Sequence, residues 1–158
     1  MKALIVALAL APLAAHQFGS FDDVPAKNRQ YVAYTAEPQV VPAGKRAVLE
    51  LHFRVQDGYH VNSHTPKSEL LIPTRIELEP ADGVKASVPE YPAGKAYSFS
   101  FDPSEKLDVY ADAFTVKLPV TASAGAHEVH GALKYQACDQ AACYPPKTLP
   151  ISVIFTAK

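Results

Sequence analysis

Ala47-Val48-Leu49-Glu50-Leu51-His52-Phe53-Arg54-Val55 is the stretch that decides the fold class. Ala47, Leu49, Leu51, Phe53 and Val55 fall on one face of an extended chain, and Glu50, His52 and Arg54 fall on the other. Alternation with period two is the mark of a strand with one face in a core and one in water. The same period recurs in Phe114, Val116, Leu118 and Val120, in Val129, Gly131, Leu133 and Tyr135, and in Leu149, Ile151, Val153 and Phe155. Weaker strand patterns cover 31–35, 74–79, 84–88 and 97–101, the last grouping Tyr97, Phe99 and Phe101.

Turn chemistry separates these runs: Pro42-Ala43-Gly44, Asp57-Gly58, Pro80-Ala81-Asp82-Gly83, Pro92-Ala93-Gly94 and Ser123-Ala124-Gly125. Short strands at this spacing, with no stretch of helical period, predict one all-β domain made of two packed antiparallel sheets. Proline donates no ladder hydrogen bond, so Pro119 and Pro150 predict edge strands or bulges at those points.

The chain has 158 residues, 14 of them proline, and a formal net charge of -1 with acids and bases interspersed. That balance excludes nucleic acid as a partner, which requires a concentrated basic face. Residues 1–15 read as a secretory signal peptide: a lysine at position 2, an uncharged apolar run over 3–15, and small residues near Ala15. The run is shorter than the roughly 18–20 residues of a membrane span, though an uncleaved N-terminal anchor is the competing reading. Residues 16–30 are polar and irregular, a leader ahead of the domain at 31–158. The expected location is therefore periplasmic: exported and soluble.

Cys138 and Cys143 flank Asp139-Gln140-Ala141-Ala142 between two strand patterns. Paired as a hairpin, they would face one another at about 4.5–5.5 Å between Cα atoms, a spacing that a disulfide accepts. An even cysteine count in an exported chain has a structural bridge as its default reading. Closing so short a loop contributes only about 2 kcal/mol by chain entropy, however. A domain of this size with this much apolar alternation folds without such a staple. Asp139 would raise a neighbouring thiol's pKa, with Lys134 and Lys147 as possible counterweights. On the residues alone, a structural and a redox-active pair both stand.

Tyr135-Gln136-Ala137-Cys138 followed by Cys143-Tyr144-Pro145-Pro146 resembles the active-site segment of the N-terminal periplasmic domain of the thiol:disulfide interchange protein DsbD. Asp57-Gly58-Tyr59-His60-Val61-Asn62-Ser63-His64-Thr65-Pro66 and Leu118-Pro119-Val120 extend the likeness over roughly 32–156. The resemblance implies an immunoglobulin-like antiparallel β-sandwich that works as a thiol:disulfide oxidoreductase, a component of protein-disulfide reduction. It implies Cys143 as the cysteine that bonds to partners and Cys138 as the one that resolves the adduct, with Tyr135 and Tyr144 flanking them. It also implies an aromatic lid over the sulfurs. Glu90-Tyr91-Pro92-Ala93-Gly94-Lys95 is the candidate, with Tyr91 as the lid and Glu90 beside it, against an ordinary packed loop tyrosine. The implied partners are thioredoxin-like or disulfide isomerase proteins. Because this chain stops at Lys158, a membrane electron relay of the DsbD type is expected as a separate protein.

No cofactor and no resident metal are expected. His60 and His64 share a face on a helix but not on the extended chain expected here, and His127 and His130 fall on opposite faces of their strand. A soft site of the cysteines with His60 or His64 remains as a third reading. His60 and Asn62 are otherwise read as a polar wall beside the cysteine hairpin. No Gly-x-Ser-x-Gly nucleophile motif and no glycine-rich phosphate loop occurs. The alternative function, from another class, is a non-catalytic immunoglobulin-like binding module whose disulfide is structural.

Overall fold

A computed structural model describes residues 29–99 and 102–158. The signal-peptide reading, all of the leader but its last two residues, and Phe101 lie outside the described residues. The strands are β1 (Val32–Thr35), β2 (Gln39–Val41), β3 (Arg46–Val55), β4 (His60–Asn62), β5 (Arg75–Leu78) and β6 (Val84–Ala86). They continue with β7 (Lys95–Phe99), β8 (Asp102–Tyr110), β9 (Ala113–Ala122), β10 (Gly125–Tyr135), β11 (Ala137–Cys138) and β12 (Lys147–Ala157). The described residues contain no helix, so the fold is all-β, and all but one of its strand pairings are antiparallel.

The alternations found in the sequence place the core. Leu49, Leu51, Phe53 and Val55 of β3 and Phe114, Val116, Leu118 and Val120 of β9 are buried, as are Val129, Leu133 and Tyr135 of β10 and Ile151, Val153 and Phe155 of β12. These inward faces belong to two sheets, ordered β1-β3-β9-β6 and β2-β12-β10-β5. Burying a Leu, Val or Phe side chain contributes roughly 1.5–3 kcal/mol, so this shared core is the main source of stability. Two turns require a left-handed backbone, and Gly58 (φ 83°) and Gly83 (φ 72°) supply it. Gly131 serves a close approach instead, since a Cβ there would lie 2.5 Å from the Glu77 carbonyl oxygen across the β10–β5 ladder.

Three features correct the sequence reading. There are three sheets, not two: the third has the order β11-β4-β8-β7. Its strands gave little signal because β4 is three residues long and buried on both faces, and β8 begins with the polar run Asp102–Lys106. One pairing is parallel, β2 running alongside the end of β12. Finally, Pro119 does not mark an edge, because β9 runs between β3 and β6.

The ladder adapts where that proline falls. The Pro119 carbonyl accepts from the Ser87 amide at 2.8 Å, and N and O of one strand residue point to the same side. The missing N–H therefore faces the β6 side. There the chain leaves the ladder and rejoins it at Glu90, which exchanges two hydrogen bonds with Lys117. Pro150 sits where β12 has only β10 beside it, as β2 pairs with Phe155–Ala157 alone.

Candidate functional site

The third sheet positions the cysteines. Val61 of β4, Ala137 of β11 and Tyr110 of β8 point into the main core. By strand alternation and register, Cys138, His60 and Asn62 share the opposite face with Leu107 and Val109. That second face packs into a small core of Phe99, Leu107 and Val109, with Tyr97 and Leu71 against it. His60 and Asn62 are consequently 3% and 0% exposed.

Cys138 and Cys143 are joined in a disulfide with Cα atoms 3.9 Å apart, closer than ladder partners on an extended hairpin. The reason is the turn between them. The Asp139 amide donates to the Ala142 carbonyl at 3.0 Å, and Asp139 Oδ1 accepts from the amides of Ala141 (2.7 Å) and Ala142 (2.8 Å). Asp139 Oδ2 accepts from the Tyr144 hydroxyl at 2.5 Å. The two sulfurs differ in environment: Cys138 is fully buried at 0%, whereas Cys143 is exposed.

The electrostatics follow from these bonds. The Tyr144 hydroxyl first, then the two amides, hold the Asp139 carboxyl below the usual carboxylate range. Reciprocally, the Tyr144 phenol is pushed up to about 12, chiefly by that hydrogen bond. Burial lowers the His60 pKa, and the Asp139 charge works in the other direction. Because the Asp139 value is depressed on folding, its contribution to the turn is present above the unfolded carboxylate range and is lost as pH falls through the folded value. Asp139→Ala should therefore speed amide exchange at Ala141 and Ala142 several-fold while leaving the β3 and β9 amides unchanged. Acidification of the native protein should lower the protection of the same two amides relative to their intrinsic exchange rate at each pH. Unaltered protection of both amides in Asp139→Ala would refute this account of the turn.

Of the residues singled out in the sequence, the structure brings His60, Asn62 and Tyr144 to the cysteine segment. His60 lies directly opposite Cys138 in the β4–β11 ladder. Tyr144 donates its amide to the Ala137 carbonyl at 2.8 Å and stacks on Tyr31 with ring centroids 5.1 Å apart. The others make their contacts elsewhere. Tyr135 is a core residue whose hydroxyl accepts from the Tyr31 amide and donates to Gln30 Oε1. Tyr91 lies flat on His64 at 3.8 Å and accepts from the Ile76 amide at 2.7 Å, and the exposed Glu90 side chain stands 4.0 Å from Arg46. The ring nearest His60 is Tyr97, tilted against it with centroids 4.0 Å apart. Lys134 turns to Thr148 and Glu77. No group of three or more potential metal ligands occurs among the described residues.

Gln136 has a larger part than the sequence reading gave it. Its Oε1 accepts from Asn62 Nδ2 (3.2 Å) and the Ile72 amide (3.5 Å), and its Nε2 donates to the Tyr144 carbonyl (3.2 Å). Asn62 Nδ2 also donates to the Ile72 carbonyl at 3.0 Å. One amide side chain thus links β4, the 64–74 connection and the segment that follows the disulfide. Its place between Tyr135 and Ala137 in the motif was the available signal.

The family model described as the thiol:disulfide interchange protein DsbD, N-terminal, matches residues 28–153. The chain belongs to this family. A curated DsbD of Actinobacillus pleuropneumoniae serotype 5b (strain L20) is 27% identical over 106 residues, 66% of this chain. The match spans 15% of that relative's length. Among solved structures, the reduced N-terminal domain of Neisseria meningitidis DsbD is 21% identical with a TM-score of 0.44, covering 69% of this chain and 81% of that one. The Neisseria meningitidis DsbD N-terminal domain in complex with the PilB N-terminal domain is 20% identical with a TM-score of 0.48, covering 83% and 87%. Among the described residues, no helix is long and apolar enough to cross a membrane.

Proposed function

We propose that this domain exchanges electrons with thioredoxin-like proteins in the periplasm by thiol–disulfide interchange, Cys143 meeting the partner and Cys138 resolving the adduct. The observation that carries the reading is the unequal burial of the two sulfurs. Exchange proceeds by attack of a thiolate on one sulfur of a disulfide, and the attacked sulfur must be reachable. Cys143 is exposed, while Cys138 is sealed behind β4 and the Phe99–Val109 core. A partner thiolate therefore attacks Cys143, and Cys138 leaves as the thiol or thiolate inside the domain. In the other direction, reduced Cys143 attacks a partner disulfide and Cys138 then displaces the partner.

Family membership supports the same reading, as does the short loop, whose closure contributes little to stability. Tyr144, the residue after Cys143, packs with Tyr31 and Tyr59 at centroid distances of 4.7–6.0 Å, and the part-exposed rings of Tyr144 and Tyr59 offer an apolar surface to a docking protein. The test is a redox titration against glutathione or dithiothreitol buffers, read by thiol alkylation. A reversible two-electron transition above about -300 mV is expected. A midpoint below that range would assign the bridge to structure and the domain to the binding-module class.

A further inference from the structure

We infer that His60 is the proton acceptor for the Cys138 thiol when Cys138 resolves a mixed disulfide, an assignment that rests on the exchange reading above. His60 and Cys138 are directly opposed in the β4–β11 ladder, so their side chains leave the same face with Cβ atoms about 4.5–5.5 Å apart. Both are buried, and His60 Nε2 has no hydrogen-bond partner. A buried polar atom left unpaired is costly, on the order of 1–3 kcal/mol, and calls for an explanation. The bridge supplies one: a disulfide sulfur carries no proton to give. Reduction creates a Cys138 S–H at that position, and Nε2 can accept from it.

The groups facing His60 are few. Cys138 comes from β11, Asp139 from the loop after it, and the rings of Tyr97 and Phe99 from β7. The β8 residues on this face are Val109 and Leu107. Lys95 shares the face by register but stands in solvent, 3.6 Å from Asp112. Asn62, two residues along β4, is the other polar side chain beside it, and its Oδ1 is likewise unpartnered. Burial favours the neutral imidazole, the form that can take a proton. An unassisted buried thiol is held protonated and unreactive, and the acceptor lifts that restraint.

With Cys143 Sγ bonded to a partner sulfur, the Cys138 S–H proton passes to His60 Nε2 and the Cys138 thiolate attacks Cys143 Sγ. The Cys138–Cys143 bond forms, the Cys143–partner bond breaks, and its electron pair leaves on the partner sulfur, which takes up a proton from water as His60 gives its own back to water. The dithiol is oxidised and the partner disulfide is reduced to two thiols.

Reduced protein mixed with the chromogenic disulfide dithiobis(nitrobenzoate) should release two aryl thiolates in sequence, the first on attack by Cys143 and the second on resolution by Cys138. His60→Phe keeps a ring against Tyr97, and His60→Gln keeps a polar side chain. Both should slow the second release about ten-fold near neutral pH, one pH unit of thiolate population, and leave the first within about two-fold. In the native protein the second phase should fall as pH drops through a midpoint below the usual histidine value; the variants should lose that inflection. Variants that resolve at the native rate with the native pH profile would overturn the assignment. Should both variants fail to fold, imidazole nitrogen NMR of the native protein decides. Reduction should shift Nε2 as a hydrogen-bond acceptor, and an unchanged resonance refutes the role. A native protein that releases no second thiolate would instead remove the exchange reading, and this step with it.

Discussion

Cys143→Ser should abolish covalent capture of a thioredoxin-like partner, while Cys138→Ser should make the captured adduct accumulate. The two cysteines are five positions apart, yet their substitution has opposite consequences because their surroundings differ. Cys143 stands exposed beside the tyrosine cluster, so its thiolate can line up with a partner disulfide. In Cys138→Ser that attack still occurs, but no internal thiol follows, and the mixed disulfide persists until an external thiol removes it. In Cys143→Ser the remaining thiol is fully buried, and no partner sulfur reaches it without opening the third sheet. The measurement is non-reducing electrophoresis of whole-cell extracts after acid quenching and alkylation, with purified thioredoxin-fold partners as a parallel arm. The effect expected is all-or-none. Comparable adducts from both variants would mean that the sulfurs are equally reachable, and the unequal burial would then have no mechanistic meaning.

Much of the fold was written in period two. Leu49, Leu51, Phe53 and Val55 lie in the core as their spacing requires, as do the alternating sets of β9, β10 and β12. What the sequence concealed was the sheet that carries the site. A strand of three residues buried on both faces, such as His60-Val61-Asn62, is too short for alternation to declare it, and its polar residues lie inside rather than in water. Pro119 misled because a proline excludes only its own ladder bond, and β9 satisfies that locally by letting 88–89 leave the ladder. The cysteine pair was legible as a bridge with two possible uses. Its asymmetry was not, because burial of Cys138 depends on β7 and β8, distant in the chain. Tyr31 was equally hidden: it meets Tyr135 across 104 residues.

Gln136→Leu should destabilise the domain by about 2 kcal/mol in both redox forms while moving the midpoint potential little. The substituted side chain fills similar volume but makes no hydrogen bonds. The Tyr144 carbonyl and the Ile72 amide then lose a side-chain partner, and Asn62 Nδ2 is left with the Ile72 carbonyl alone. Leaving part-buried polar groups unpaired costs about 1–3 kcal/mol, more than the net worth of the bonds themselves. Gln136 contacts neither sulfur through these bonds, so the loss falls on the reduced and oxidised folds alike. That separates it from His60, whose substitution is expected to act on one kinetic step. Urea unfolding of the oxidised and the reduced protein provides the check: the midpoint should drop in both with the slope unchanged. Gln136→Glu retains an acceptor for Asn62, and its protonated carboxyl keeps a single O–H donor for the Tyr144 carbonyl, so at a pH where the carboxyl is protonated its loss should fall between native and Leu. A Gln136→Leu protein within about 0.5 kcal/mol of native would show that β4, the 64–74 connection and the disulfide loop are held together by their apolar faces, and that the amide network only fits itself to them.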